Sequence, residues 1–154
     1  MALANPYNYK KPNTYVRSQK TIEKGVDISE KKQKSNKHDA YLEQKVFSAK
    51  PEELTLMLYE GVIKFVKRAK LFNDMNDIEK TSNAILRAEA IIDELRQTLN
   101  MEYEISEQLD SLYEFMNRRL FEANLKKDNL LLDEVLELSE EMCDTWKQAM
   151  NSLK

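Results

Sequence analysis

The chain has 154 residues, 33% of them charged and 42% apolar, which leaves room for one folded domain and a tail. It holds only two glycines and three prolines, and beyond Pro51 the sole breaker is Gly61, so a sheet protein with closely spaced glycine turns is excluded. The net charge of −3 conceals a split: residues 1–40 carry nine Lys/Arg against four Asp/Glu, and residues 41–154 carry fifteen against twenty-three.

The opening Met1-Ala-Leu-Ala-Asn-Pro-Tyr has no basic patch followed by an apolar stretch, so no signal peptide is expected. No apolar run approaches the length of a membrane span, so no membrane insertion is expected. Cys143 stands alone and cannot form an internal disulfide. Together these point to a cytoplasmic protein in a reducing cytosol.

Residues 1–39 offer few apolar anchors and a lysine-rich run over 29–38, so they are expected to form a largely disordered basic arm. Its lysines are spread among Ser, Asn, Gln and Glu with no interleaved aromatics, which argues for a solvated or self-associating arm and against nucleic acid. Pro6, Tyr7, Tyr9, Pro12 and Tyr15 give the arm an adhesive tip. A short helix is expected over residues 40–47.

From Pro51 the pattern turns periodic. Pro51 suits the first position of a helix, and Glu52 and Glu53 suit the positive end of its dipole. Leu54, Leu58, Gly61, Phe65 and Phe72 fall on one side, with Met57, Val62 and Ala69 beside them, and this helix ends near residues 73–77. Ser48 is expected to cap its start, since Lys50 precedes the proline. A second helix over 77–99 has an inner stripe of Ile78, Ile85, Ala88, Ile92, Leu95 and Leu99. A third, over 105–126, turns Leu109, Leu112, Met116, Leu120 and Ala123 inward. A fourth begins after 127–129 and carries Leu131, Val135, Leu138, Met142, Trp146 and Ala149.

Four helices of about 33 Å each, joined by short breaks, must fold back on one another. The expected fold is all-α: an antiparallel up-down four-helix bundle over residues 40–154, with a short N-terminal helix and a flexible N-terminal arm over 1–39. The third helix has an apolar arc of roughly 240° from Phe121 round to Phe115. Either that arc meets several neighbours, or part of it lines an external groove for a partner's apolar helix. The seven methionines suit either use.

No catalytic constellation emerges. His38 is the only histidine and lies in the arm, so acid–base and triad chemistry lack a partner. There is no Glu-x-x-His metal motif, no second cysteine for zinc, and no phosphate-binding glycine loop. Neither an enzyme nor a bound metal or cofactor is expected. Cys143 reads as a core or boundary residue, and Glu134, Glu137, Glu140 and Glu141 as a solvated face. Arg119 reads as the partner of a carboxylate on a neighbouring helix or as a clamp on a bound polar group.

Three ordered blocks resemble a known family. The run from Tyr41 through Val46, Ala49, Pro51, Leu54, Met57, Leu58 and Tyr59 to Gly61 is similar to the opening of the flagellar secretion chaperones that bind flagellin. Leu112-Tyr113-Glu-Phe-Met116-Asn-Arg118-Arg119-Leu120-Phe-Glu-Ala123-Asn124 resembles that family's most recognisable internal motif, and Asp144-Thr-Trp146-Lys147 a third block. Asn5-Pro6-Tyr7 matches the start, although in the family it stands close before the tyrosine matching Tyr41; here residues 8–40 intervene. The resemblance implies a non-enzymatic chaperone that holds the C-terminal segment of flagellin in the cytoplasm, prevents its early polymerisation and assists its delivery to the export apparatus. It implies client-binding residues among Tyr41, Val46, Leu54, Met57, Leu58, Gly61, Phe65, Tyr113, Met116 and Leu120, and a groove-covering arm through Pro6 and Tyr7. Contact with export-apparatus components and a homodimer stay open, as does the alternative of a helical adaptor with a partner other than flagellin.

Overall fold

A computed structural model describes residues 5–7 and 32–152, with side chains from residue 37 onward in the first helix. Most of the expected basic arm, residues 8–31, lies outside the described residues. Among the described residues five helices follow in order: α1 (Lys32–Ser48), α2 (Pro51–Asp74), α3 (Ile78–Gln97), α4 (Glu104–Lys126) and α5 (Asn129–Asn151). The described residues fall into two compact units, one comprising 5–7 with 51–152 and the other 32–50.

In the second unit α1 starts at Lys32, earlier than the short helix expected over 40–47. The Ser48 hydroxyl donates backwards to the carbonyls of Gln44 (2.8 Å) and Lys45 (3.3 Å). It therefore closes α1 instead of capping α2, which corrects the expected cap.

In the first unit the four long helices form a closed ring, α2 packing on α3 and α5, and α4 packing on α3 and α5. The turns explain why each helix reverses where it does. Asn76 takes a left-handed conformation (φ 59°), which non-glycine residues adopt mainly as Asn or Asp. Asp77 then caps α3 by accepting from the Lys80 amide at 3.1 Å. At the α4–α5 turn Lys127 is left-handed (φ 51°), and Asp128 caps α5 by accepting from the Leu130 amide at 2.9 Å. The same two turns are tied together: Asn73 donates to the Lys127 carbonyl at 2.8 Å, and Asn129 donates to Asp74 at 2.7 Å.

The core is rotated from the expected stripes. On α2 the buried line is Thr55, Leu58, Tyr59, Val62, Val66 and Ala69, whereas Leu54, Gly61, Phe65 and Phe72 are half-buried at the edge. On α5 it is Leu132, Val135, Ser139 and Cys143, flanked by half-buried Leu131, Leu138, Met142 and Trp146. Both helices have apolar arcs wider than one seam, and small or β-branched residues take the middle, where two neighbouring helices approach. On α3 the expected stripe holds from Ile85 to Leu95, but Ile78 is 68% exposed because it opens the helix beyond its neighbours' cover. On α4 Tyr113, not Leu109 or Leu112, occupies the centre. The buried hydroxyls are satisfied locally, Thr81 donating to Asp77 O at 2.6 Å and Ser139 to Val135 O at 2.7 Å.

Candidate functional site

The polar feature at the heart of the bundle is a cluster of three tyrosines supplied by distant segments. Tyr59 comes from α2, Tyr113 from α4, and Tyr7 from the N-terminal Asn-Pro-Tyr; all three are buried. The Tyr7 and Tyr59 hydroxyls lie 2.6 Å apart and those of Tyr59 and Tyr113 2.7 Å apart, and Tyr7 also hydrogen-bonds Tyr113. A phenol both donates and accepts, so three can close a ring in which every donor is used. That answers the polar demand of a tyrosine placed in a core.

The N-terminal tripeptide is held at several further points. Asn100 donates its amide to the Pro6 carbonyl at 2.5 Å, and Tyr7 forms an antiparallel bridge with Leu99. Asn5 folds its side-chain carbonyl back to accept from the Tyr7 amide at 3.0 Å. The Tyr7 ring meets Trp146 of α5 edge-on, with centroids 5.8 Å apart at 85°. Trp146 in turn donates its indole N–H to the Glu52 carbonyl at 2.9 Å, which joins the ends of α5 and α2. The α3–α4 connection that receives Pro6 is itself braced, since Ser106 donates to the Asn100 carbonyl at 2.6 Å.

Burial pushes the Tyr113 hydroxyl far above the ordinary tyrosine range, and its two phenolic neighbours add to this. Burial likewise raises Tyr59. Tyr59 and Tyr113 are therefore neutral throughout the ordinary pH range, and the cluster works by hydrogen bonding.

The magnitudes matter for what this contact can do. Burying the Tyr7 side chain is worth about 2–3 kcal/mol, and each hydrogen bond adds about 1 kcal/mol net. Fixing three backbone residues removes about 1–2 kcal/mol each. These terms nearly cancel, so the tripeptide is seated specifically but held weakly enough to be displaced.

The residues singled out from the sequence divide by position. Leu58, Tyr113, Met116 and Leu120 are interior, and nothing reaches them while the helices stay packed with Tyr7 in place. Leu54, Met57, Gly61 and Phe65 are half-buried along one edge of α2. Gly61 faces α3: a Cβ there would stand 3.1 Å from Ile91 Cδ1, so its missing side chain serves helix–helix approach inside the bundle. Tyr41 and Val46 belong to α1 in the other unit, Tyr41 exposed and Val46 half-buried. Pro6 and Tyr7 are buried. Tyr59, Leu99 and Asn100 complete the N-terminal seat and were not singled out. A tyrosine one position from Leu58 on a core face, needing a partner for its hydroxyl, was the available signal.

Beside the α2 edge, α2 and α3 enclose a groove of about 290 Å³ lined by Phe65, Phe72, Ala84, Arg68 and Arg87 among others. Arg119 bridges α4 to α5: its Nε stands 3.2 Å from Glu134, its Nη1 3.2 Å from Glu122, and its guanidinium lies over Phe115. The ion-pair reading of Arg119 is thus the one observed. Cys143 is buried with its thiol pushed up by burial. Among the described residues no group of His, Cys, Asp and Glu is arranged to hold a metal ion, and no helix is long and apolar enough to cross a membrane.

Residues 34–153 match a family model described as flagellar protein FliS. The chain is 40% identical over 117 residues to the flagellar secretion chaperone FliS of Bacillus subtilis, covering 76% of this chain and 88% of the relative. It is 37% identical over 110 residues to the FliS of Salmonella typhimurium, covering 70% and 82%. A solved structure, described as the crystal structure of a flagellar chaperone from bacteria, superposes with a TM-score of 0.64 at 15% identity, covering 77% of this chain and 98% of that one; at that identity the likeness shows the fold.

Proposed function

From the premise that this chain belongs to the FliS family of flagellar proteins, we propose that it is a cytoplasmic, non-enzymatic chaperone that binds the C-terminal segment of flagellin, prevents its early polymerisation and helps deliver it to the export apparatus. The observation that carries this reading is the seat of Asn5-Pro6-Tyr7: the bundle has a slot for a short extended segment, and that slot is filled by sequence remote from it. A client segment that displaces Tyr7 gains the Tyr59 and Tyr113 hydroxyls, the edge of Trp146 and the backbone of residues 99–100. Pro6 and Tyr7 are then the covering arm of the reading, with Tyr113 as the part of the seat exposed on release. The half-buried edge of α2 at Leu54, Met57 and Phe65 continues the client path along the bundle, with Gly61 serving the close approach of α2 to α3 beneath it. In the other unit, Tyr41 and Val46 of α1 are client contacts of their own. Leu58, Met116 and Leu120 serve through the packing that positions the seat.

The reading is tested by co-elution on size exclusion. Mixed with a peptide of the flagellin C-terminus, the full chain is expected to move as one complex, and a Leu54→Glu/Met57→Glu variant with an unchanged melting temperature to lose it. Separate elution of a folded chain and a soluble peptide would overturn it.

A further inference from the structure

The groove between α2 and α3 has a chemical character unlike the rest of the bundle. Its floor is apolar, made by Phe65, Phe72 and Ala84. Three cations converge on the Phe65 ring: Lys64 Nζ lies 5.3 Å from its centroid, Arg87 Cζ 5.5 Å and Arg68 Cζ 5.7 Å. A fourth, Lys80, stands over Phe72 at 5.6 Å. Lys80 has a carboxylate neighbour, Asp77, at 3.9 Å. Lys64, Arg68 and Arg87 have none within ion-pair distance among the described residues, although elsewhere α2 lysines pair with α5, as Lys67 does with Glu140 at 3.7 Å and Lys70 with Asp133.

This is an uncompensated positive cluster on an acidic body, since residues 41–154 carry fifteen Lys/Arg against twenty-three Asp/Glu. Its members repel one another: burial, then Arg68 and Arg87, lower the Lys64 ammonium from the ordinary lysine range. Cation–π contact with one phenylalanine offsets part of that repulsion, but three cations cannot all be neutralised by one ring. An arriving carboxylate would relieve it. A polynucleotide would meet the repulsion of the surrounding acidic surface, whereas a short segment with an apolar anchor fits the size of the groove.

We propose that this groove is the docking site for an acidic stretch of the client, whose carboxylates pair with Lys64, Arg68 and Arg87 while an apolar side chain rests on Phe65 and Ala84. The proposal rests on the client-binding reading above, because Phe65 is where the half-buried edge of α2 runs into the groove. The client path thus has a neutral, hydrogen-bonding end at the tyrosine seat and an electrostatic end here, and the second confers salt dependence on an otherwise uncharged interaction.

The test is fluorescence anisotropy with a labelled C-terminal flagellin peptide, using the full chain and a Lys64→Glu/Arg68→Glu/Arg87→Glu variant, each checked by thermal melting. The expected result is tight binding by the unaltered chain and at least about tenfold weaker binding by the variant at low salt, with the gap closing as salt is raised. Replacing the peptide's Asp and Glu by Asn and Gln should weaken binding to the unaltered chain alone. If charge reversal perturbs folding, a Lys64→Gln/Arg87→Gln variant provides the same comparison. Binding that is equal in the unaltered and reversed proteins overturns this proposal and leaves the client reading standing. If neither protein binds the peptide, both the proposal and the client reading are overturned. Loss of phosphatidylglycerol-vesicle binding in the variant, with peptide binding intact, overturns the assignment in favour of a lipid surface.

Discussion

Tyr7 and Tyr113 stand 106 residues apart in sequence and share a hydroxyl–hydroxyl hydrogen bond inside the bundle, with Tyr59 bonded to both. Pro6 and Tyr7 are thereby part of the core without being part of any helix. Because that contact is nearly balanced by ordering entropy, small changes to it should have readable consequences.

Replacing Tyr7 by Phe keeps the ring and its edge contact with Trp146 but removes one hydroxyl, leaving Tyr59 and Tyr113 bonded to each other. Docking of the arm should weaken by about 1 kcal/mol. Tyr7→Ala removes the ring as well, and residues 5–7 should leave their seat. Trp146 is the sole tryptophan, so its emission should shift to the red in Tyr7→Ala and much less in Tyr7→Phe. Hydrogen exchange at the Asn100 amide, which bonds to Pro6, is an independent reading of the same event.

Tyrosine titration gives the cluster a pH signature. Tyr59 and Tyr113 are held above the ordinary range in the folded protein, while an unfolded tyrosine ionises near about 10. As pH rises past that value the unfolded chain releases its protons first, so the contribution is whole below about 10 and is lost above it. Each tyrosine should steepen the fall in stability by up to about 1.4 kcal/mol per pH unit. Comparing melts of the unaltered chain and Tyr59→Phe/Tyr113→Phe across this range isolates the tyrosines from the lysines that titrate alongside them.

Glu89 follows the same sign of linkage in the acidic range. Burial and then Asp93 raise its carboxyl above the ordinary range, and one of its oxygens is buried without a hydrogen-bond partner. Its protonated form suits the fold, so its contribution favours folding at low pH and is lost as pH rises through the folded value. At neutral pH Glu89→Gln should raise the melting temperature by about 1–2 °C, an advantage that disappears below about pH 4.

Gly61 tests the α2–α3 seam. A methyl there presses on the flexible end of Ile91, and the better helix propensity of Ala offsets part of that strain, so Gly61→Ala should change stability by less than about 1 kcal/mol. Gly61→Leu has no such escape and should destabilise by about 1–3 kcal/mol, measurable by denaturant unfolding.

The helices themselves were legible because breakers are so scarce after Pro51 and because Asn and Asp mark the reversals at 73–77 and 127–129. Which face of each helix lies deepest was less legible. On α2 and α5 the apolar arc is wide enough for two choices, and packing between two neighbours selected Val62, Val66, Val135 and Cys143 over bulkier Phe65, Leu138 and Trp146. The importance of Pro6 and Tyr7 came from resemblance, since no periodic pattern links a tripeptide to a bundle that begins more than forty residues later. The cation cluster at Phe65 escaped notice because Lys64 and Arg68 on α2 meet Arg87 only through the pairing of α2 with α3.

The most direct test of the account is calorimetric titration of the flagellin C-terminal peptide into the full chain and into its Tyr7→Ala variant. The account predicts one-to-one binding with a negative heat-capacity change, and tighter binding by the variant because its seat is already vacant. Equal or weaker binding by Tyr7→Ala would contradict displacement of the arm, and absence of heat with both partners folded or soluble would contradict the chaperone reading itself.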